Sequence, residues 1–185
     1  MRNPVVPRPS KFKVNRENGR LILSQSWHNV GYYILIPMVA FMAFLVHTIV
    51  VKKAAQMQEE PFLWFVVAII GLGALFLLYL AIGGIFNKTY YVVGNGKFSI
   101  THDPLPFGKN HEYPLNEIDQ LYLMEYKMGE GSGSMYNLYL LKTDGEGVKL
   151  NIGFNKMDHA LFVEDTLEKE MGLEYRPVAG EFKPS

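Results

Sequence analysis

The sequence contains no cysteine among its 185 residues. This absence excludes disulfide bonds, thiolate metal ligands and cysteine nucleophiles at once. It also favours a cytosolic location for any soluble part, because disulfides are rare in that compartment. No disulfide can therefore stabilise the fold.

Charged residues are missing from two long apolar stretches, residues 30–51 and 61–86. A helix needs about 20 apolar residues to cross a bilayer core of about 30 Å. Both stretches are long enough, and only the short connection 52–60 separates them. The pattern predicts a hairpin of two transmembrane helices. Pro37 lies one turn inside the first stretch, where a proline can kink a helix.

The remaining charges are distributed unequally on the two sides of the hairpin in the sequence. Residues 1–29 carry six Lys or Arg and one Glu, a net charge of +5, whereas residues 87–185 carry ten basic and fifteen acidic residues, a net charge of −5. Basic residues concentrate at the cytoplasmic ends of membrane helices. The six that precede the first helix, against Lys52 and Lys53 in the connection, predict that both termini are cytoplasmic.

The same charges constrain the partners. A basic segment next to a membrane helix predicts contact with anionic lipid at the cytoplasmic face. The acidic C-terminal part argues against a nucleic-acid partner, because phosphates require a basic surface. No cleavable signal peptide is expected, since the first apolar run begins only near residue 30.

A β-hairpin is predicted within residues 11–27, ahead of the first apolar stretch. Asn18-Gly19 stands between two strand-like runs, and this dipeptide is typical of a two-residue hairpin turn. An isolated two-stranded ribbon is marginally stable in water. We therefore expect this hairpin to pair with a sheet formed by the C-terminal part. Residues 1–29 are predicted to form a basic arm and this hairpin.

Six short strands and one helix are predicted after the second apolar stretch. The helix, roughly 156–171, has Asn155 as a candidate N-cap and Gly172 as the residue that ends it. Its apolar stripe consists of Ala160, Val163, Leu167 and Met171. The six strands are residues 89–93, 97–101, 111–115, 118–127, 136–142 and 148–152.

Six strands followed by one helix is the element order of a pleckstrin-homology-like domain. The predicted fold class is thus α+β: a transmembrane helical hairpin over 30–86, and a pleckstrin-homology-like antiparallel β-barrel or sandwich over 87–172. Residues 173–185 are predicted to form a tail, because they carry Pro177, Gly180 and Pro184.

Four segments of the sequence carry a family resemblance. They are Pro104–Phe107, Ile118–Tyr122, Ala160–Glu164 and Arg176–Glu181. Over roughly residues 12–182 the chain resembles a family of uncharacterised bacterial membrane proteins with two transmembrane helices and a soluble β-rich tail. The tail is also similar to the bacterial membrane-anchored pleckstrin-homology group. The resemblance implies the bacterial inner membrane. Many members begin with a cysteine zinc ribbon, which this chain lacks, so no zinc site is implied.

Residues suited to chemistry are few. His47 lies inside the first apolar stretch, where an ionisable residue is a candidate ligand for a haem or a chlorin pigment, or a proton carrier. Its position within about two turns of Lys52 favours a neutral imidazole near the outer membrane boundary instead. The five histidines show no metal-ligand spacing on one element. The acidic residues Glu164 to Glu170 are expected to form a solvated helix face. We predict no catalytic residue, no cofactor and no metal.

Candidate partner-binding residues occur in two places. On the second helix they are the small residues Ala68, Gly71, Gly73 and Ala74, which let membrane helices approach closely. In the C-terminal part they are Leu105 and Phe107, in a proline-held loop, together with Tyr113.

These features favour a non-catalytic accessory or scaffold subunit of a larger membrane complex, of which a respiratory or photosynthetic assembly is one candidate. Its partners would be other integral membrane subunits. The main alternative is a membrane-anchored sensor whose β domain binds lipid or peptide. A third hypothesis is an intramembrane redox subunit that uses His47.

Overall fold

The structure, a computed structural model, describes residues 7–53, 56, 60–106, 110–127, 129 and 133–182. The chain divides into two compact units. One unit contains residues 1–25, 89–101 and 108–185, and the other contains residues 26–88 and 102–107.

The second unit is built around two long apolar helices. A short 3-10 helix, Val30–Ile34, leads directly into α1, Leu35–Lys52. The helix α2 spans Phe62–Phe86. By length and composition, Val30–Lys52 and Phe62–Phe86 are both able to cross a membrane. The two apolar helices predicted from the sequence are therefore present. Because the α-helical hydrogen bonding begins only at Leu35, Pro37 falls in the first turn, where its missing N–H costs nothing.

The β-rich unit contains two antiparallel sheets and one helix. The sheet of five strands follows the order β1-β2-β3-β4-β5, and the sheet of three strands follows the order β6-β7-β8. The five-stranded sheet consists of β1 Phe12–Glu17, β2 Arg20–Ser26, β3 Lys88–Gly94, β4 Lys97–Asp103 and β5 His111–Pro114. The other sheet consists of β6 Ile118–Lys127, β7 Ser134–Lys142 and β8 Gly147–Phe154. The helix α3 spans Met157–Met171.

All six strands predicted after the apolar stretches are present, but the described strands form no closed barrel. The break between the sheets occurs after Pro114, which has no N–H to donate to a ladder. The next residues, Leu115–Glu117, form a 3-10 turn, and β6 then begins a separate sheet. Of the two predicted forms, a barrel or a sandwich, the barrel is therefore wrong, because the described strands form two sheets that share one buried cluster.

The shared cluster is the core of this unit. The apolar stripe of α3 is buried at Ala160, Val163 and Leu167, as the sequence predicted, and Met171 packs against it half-buried. Gly172 ends α3 with a φ of 70°, also as predicted. The predicted N-cap is wrong by one residue, because Lys156 takes that position without a side-chain hydrogen bond. The largest fully buried side chains are Tyr91, Phe12, Phe98 and Phe154.

The β1–β2 hairpin is part of the large sheet, which confirms the prediction that it pairs with C-terminal strands. Asn18 and Gly19 form its turn with φ values of 51° and 72°, the left-handed values that a tight hairpin turn requires. On its other side β2 is hydrogen-bonded to β3. The two apolar helices therefore separate, in the chain, two strands that are neighbours in the sheet.

Candidate partner-binding surfaces

The two ends of the helical hairpin are tied to each other by backbone hydrogen bonds. The N–H of Trp27 donates to the carbonyl of Asn87 at 3.0 Å, and the N–H of Asn29 donates to the carbonyl of Gly84 at 3.3 Å. The Asn29 side chain also accepts the N–H of Gly31 at 2.9 Å, which caps the 3-10 helix. The entry to α1 and the exit from α2 are thus held together.

Tyr32 packs directly on α2 at Gly84. An ideal Cβ added to Gly84 would lie 2.1 Å from the nearest atom of the Tyr32 ring. Only a residue without a side chain leaves room for the ring at this position. The close contact explains why Gly84 is buried although most of α2 is not.

Asn87 fixes the loop that contains Leu105. Its amide nitrogen Nδ2 donates to the carbonyl of Leu105 at 2.8 Å, and its oxygen Oδ1 accepts the N–H of Leu105 at 2.9 Å. The side chain therefore pairs with the backbone of Leu105 as a peptide group of a neighbouring strand would. Asn87 is fully buried, so water cannot replace these hydrogen bonds.

The loop differs in part from the exposed apolar surface predicted from the sequence. Leu105 is half-buried, whereas Pro104 and Pro106 are exposed, and the peptide bond between Asp103 and Pro104 is cis. Phe107, the second apolar residue of the predicted surface, lies outside the described residues. The described part of the loop thus offers a fixed backbone and one half-buried apolar side chain.

Tyr113 belongs to the β-rich unit, and it packs against the core rather than standing free. Its ring stacks on that of Phe98 with centroids 6.5 Å apart and on that of His111 with centroids 6.1 Å apart. Its hydroxyl lies 3.2 Å from Nδ1 of His111. These contacts give Tyr113 a structural role.

The small residues of α2 divide into two groups with different roles. A Cβ at Gly73 would meet the terminal methyl of Met42 on α1 at 2.9 Å, so Gly73 serves the contact between the two helices. A Cβ at Gly71 would meet nothing within 4 Å. Ala68 is exposed. The sequence alone could not separate these residues, because all four are small and close together.

Gly71 and Ala74 line an apolar groove between α1 and α2. Its volume is about 370 Å³. The groove is lined by Val39, Ala43, Val46, Gly71, Ala74, Leu75 and Leu78. Because Gly71 leaves the α2 backbone uncovered there, another helix could approach closely. We call this surface the small-residue groove.

Large apolar side chains stand exposed on both helices. Examples are Phe41 and Phe44 on α1, and Phe65, Leu72 and Phe76 on α2, each at least 59% exposed. A continuous apolar surface of this kind contacts lipid or protein rather than water. Two packed helices cover only one side of each other, so the rest of their apolar surface is available for contact with lipid or with another protein.

His47 is exposed on α1. The described residues contain no group of three or more His, Asp or Glu side chains that could hold a metal ion.

The acidic face of α3 corrects one expectation. Glu164 is buried at 8% exposure, although the sequence suggested a solvated face. Burial, followed by the negative charges nearby, raises the pKa of Glu164 to about 9 and that of Glu168 to about 7.

The role of Asn87 in fixing the Leu105 loop was also not predicted from the sequence. The only signal was its position as the one polar residue between the apolar helix and Lys88.

No protein-family model matches the chain, and no curated protein is significantly similar to it in sequence. The family resemblance described above therefore rests on the four sequence segments alone.

Proposed function

We propose that the protein is a non-catalytic accessory or scaffold subunit of the bacterial inner membrane, which binds other integral membrane proteins through its helical hairpin. The observation that carries this proposal is the small-residue groove. Gly73 already serves the internal contact, so Gly71 and Ala74 are left for a helix from outside the chain. The proposal includes the pleckstrin-homology-like family assignment and a contact of the basic segment with anionic lipid.

The order of the strands supports a hairpin that crosses the membrane twice. Because β2 and β3 are hydrogen-bonded neighbours, the residues that enter α1 and leave α2 must lie on the same side of the membrane. The number of crossings between them is then even. This argument is independent of charge, and the basic residues of 1–29 favour the cytoplasm as the common side.

A reporter protein that is active only in the cytoplasm should be active when fused after Ser185. The expectation follows from the basic N-terminal segment and from the even number of crossings. A fusion at Gln56, in the connection between the helices, provides the matched control and should be inactive. An active Gln56 fusion with an inactive Ser185 fusion would reverse the orientation.

The substitution Gly71→Leu should remove a partner protein from the purified complex without unfolding the chain. The leucine side chain would occupy the small-residue groove, and its Cβ would have nothing within 4 Å from other elements of the described part of the chain. The measurement is co-purification of the tagged full-length chain in mild detergent, with mass spectrometric identification of the proteins bound. The respiratory and photosynthetic complexes are the first candidates.

Two control variants complete this experiment. Leu72→Ala changes an exposed side chain next to Gly71 and should keep the partner, because Leu72 does not line the groove. Gly73→Leu should lower the melting temperature, because its side chain would collide with Met42. If Gly71→Leu retains every protein that the wild type binds, the groove is not the docking surface. Binding of the purified chain to a lipid or peptide that survives Gly71→Leu would support the sensor alternative.

A further inference from the structure

The C-terminal strap, which we define as residues 173–182, contacts β6 at Asp119 and Leu123. This strand ends the three-stranded sheet, so its outward backbone groups need partners from outside the sheet. The N–H of Phe182 donates to the carbonyl of Leu123 at 2.7 Å. The Phe182 ring packs edge-on against Tyr136 with centroids 4.9 Å apart. The N–H of the same Leu123 donates to the carboxyl group of Glu164 on α3.

Three carboxyl groups of α3 and the strap lie close enough to influence one another electrostatically. Glu164 is buried, and one carboxyl oxygen of Glu168, Oε1, is buried without a hydrogen-bond partner among the described residues. The third group, Glu181, belongs to the strap. It accepts the N–H of Val178 at 3.2 Å and the hydroxyl of Tyr175 at 3.1 Å, so it organises the strap itself.

The charged groups that act on these carboxyls are themselves acidic. Besides burial, the pKa of Glu164 is raised by the negative charges of Glu168, Glu181 and Asp165. The pKa of Glu168 is likewise raised by burial and by the charges of Glu181 and Asp165. The cations of this region pair with other carboxylates: Lys169 with Asp165 at 2.6 Å, Arg16 with Glu170 at 2.6 Å and Arg176 with Asp119 at 3.6 Å. If Glu164, Glu168 and Glu181 were all ionised, the docked strap would hold three negative charges together with little solvent to screen them.

We propose that the strap is a pH-dependent latch, which stays docked on β6 while Glu164 and Glu168 are protonated and is released when they lose their protons. Release moves Glu181 away and lets water reach the other two carboxylates. It also uncovers the carbonyl of Leu123 at the edge of the sheet.

The direction of the pH dependence follows from the pKa values. In the docked state burial raises the pKa of Glu164 to about 9 and that of Glu168 to about 7, from an ordinary value of 4.5. The docked state thus binds protons more tightly than the released state. Docking of the strap is strongest when the pH is near or below 4.5, the ordinary pKa of these carboxyl groups. It weakens as the pH rises towards 7 for Glu168 and 9 for Glu164, by at most about tenfold per pH unit and per group.

Hydrogen exchange at the Phe182 amide tests the latch in the full-length protein in detergent micelles. Protection is expressed relative to the intrinsic exchange rate at each pH. In the wild type we expect protection to fall at least about tenfold between pH 6 and pH 8.5. In the double variant Glu164→Gln/Glu168→Gln the fall should disappear, because a neutral Gln carries no charge and can still accept the N–H of Leu123.

Two single variants make the outcome decisive. Glu174→Gln removes an exposed carboxylate just after α3 and should behave as the wild type does. Glu168→Gln leaves Glu164 in place and should reduce the fall in protection without abolishing it, which is informative even if the double variant does not fold. Wild-type protection that is equal at pH 6 and pH 8.5 would overturn the latch, and so would an equal fall in Glu168→Gln and wild type.

Discussion

The substitution Gly84→Ala should lower the free energy of unfolding by about 3 kcal/mol, a large effect for one methyl group. The new Cβ would lie 2.1 Å from the Tyr32 ring, so either the ring or α2 has to move. Such a movement would also disturb the hydrogen bond from Asn29 to the carbonyl of Gly84. The measurement is thermal or denaturant-induced unfolding of the full-length protein in detergent micelles.

A double-mutant cycle identifies the cause of that loss. Tyr32→Ala removes the ring, so adding Gly84→Ala to it should cost almost nothing further. Gly71→Ala provides a matched control in the same helix, because its Cβ would have no described neighbour within 4 Å. It should not lower the free energy of unfolding, and the better helix propensity of alanine should raise it by up to about 1 kcal/mol. Equal losses from Gly84→Ala with and without the ring would mean that Tyr32 is not the obstacle.

The substitution Asn87→Ala should have an effect of similar size, about 3 kcal/mol. It removes both hydrogen bonds to Leu105 and leaves a backbone N–H and a backbone carbonyl without these partners. The loss should be visible as a lower free energy of unfolding and as faster hydrogen exchange at the Leu105 amide.

Two further variants separate the geometry of the Asn87 side chain from its size. Asn87→Asp has nearly the same shape and can accept the N–H of Leu105, but an ionised carboxylate cannot donate to the carbonyl. It should therefore be destabilised as well. Asn110→Ala changes an exposed asparagine and should have little effect. A fully stable Asn87→Asp variant would show that only the bond to the N–H of Leu105 matters.

Local sequence signals predicted the elements that depend on local chemistry. The absence of charge in 30–51 and 61–86 was enough to place α1 and α2, because a long apolar run has few alternatives. Asn18-Gly19 predicted the β1–β2 turn, since few residue pairs adopt two left-handed conformations in succession. The alternation of apolar residues gave the six later strands to within two residues at most ends.

Properties that depend on long-range packing were not predictable in this way. Glu164 occupies a polar-looking position on α3, yet the folded chain buries it. Asn87 gains its role from Leu105, which is eighteen positions away in the sequence. Gly71 and Gly73 look alike in the sequence, and the position of Met42 on another helix decides which of them is occupied. The count of strands could not distinguish a barrel from two sheets.

The insertion of the helical hairpin between β2 and β3 sets an order of events during synthesis. The β1–β2 hairpin leaves the ribosome first, but its partner β3 follows roughly 60 residues later. At ordinary elongation rates that delay is about 3–12 s. During this time Leu21 and Leu23, which are buried in the finished sheet, have β1 on one side but lack β3 on the other. We therefore expect β3 to pair with β2 only after both apolar helices have been synthesised. A complete five-stranded sheet would then show that the helical hairpin has been made.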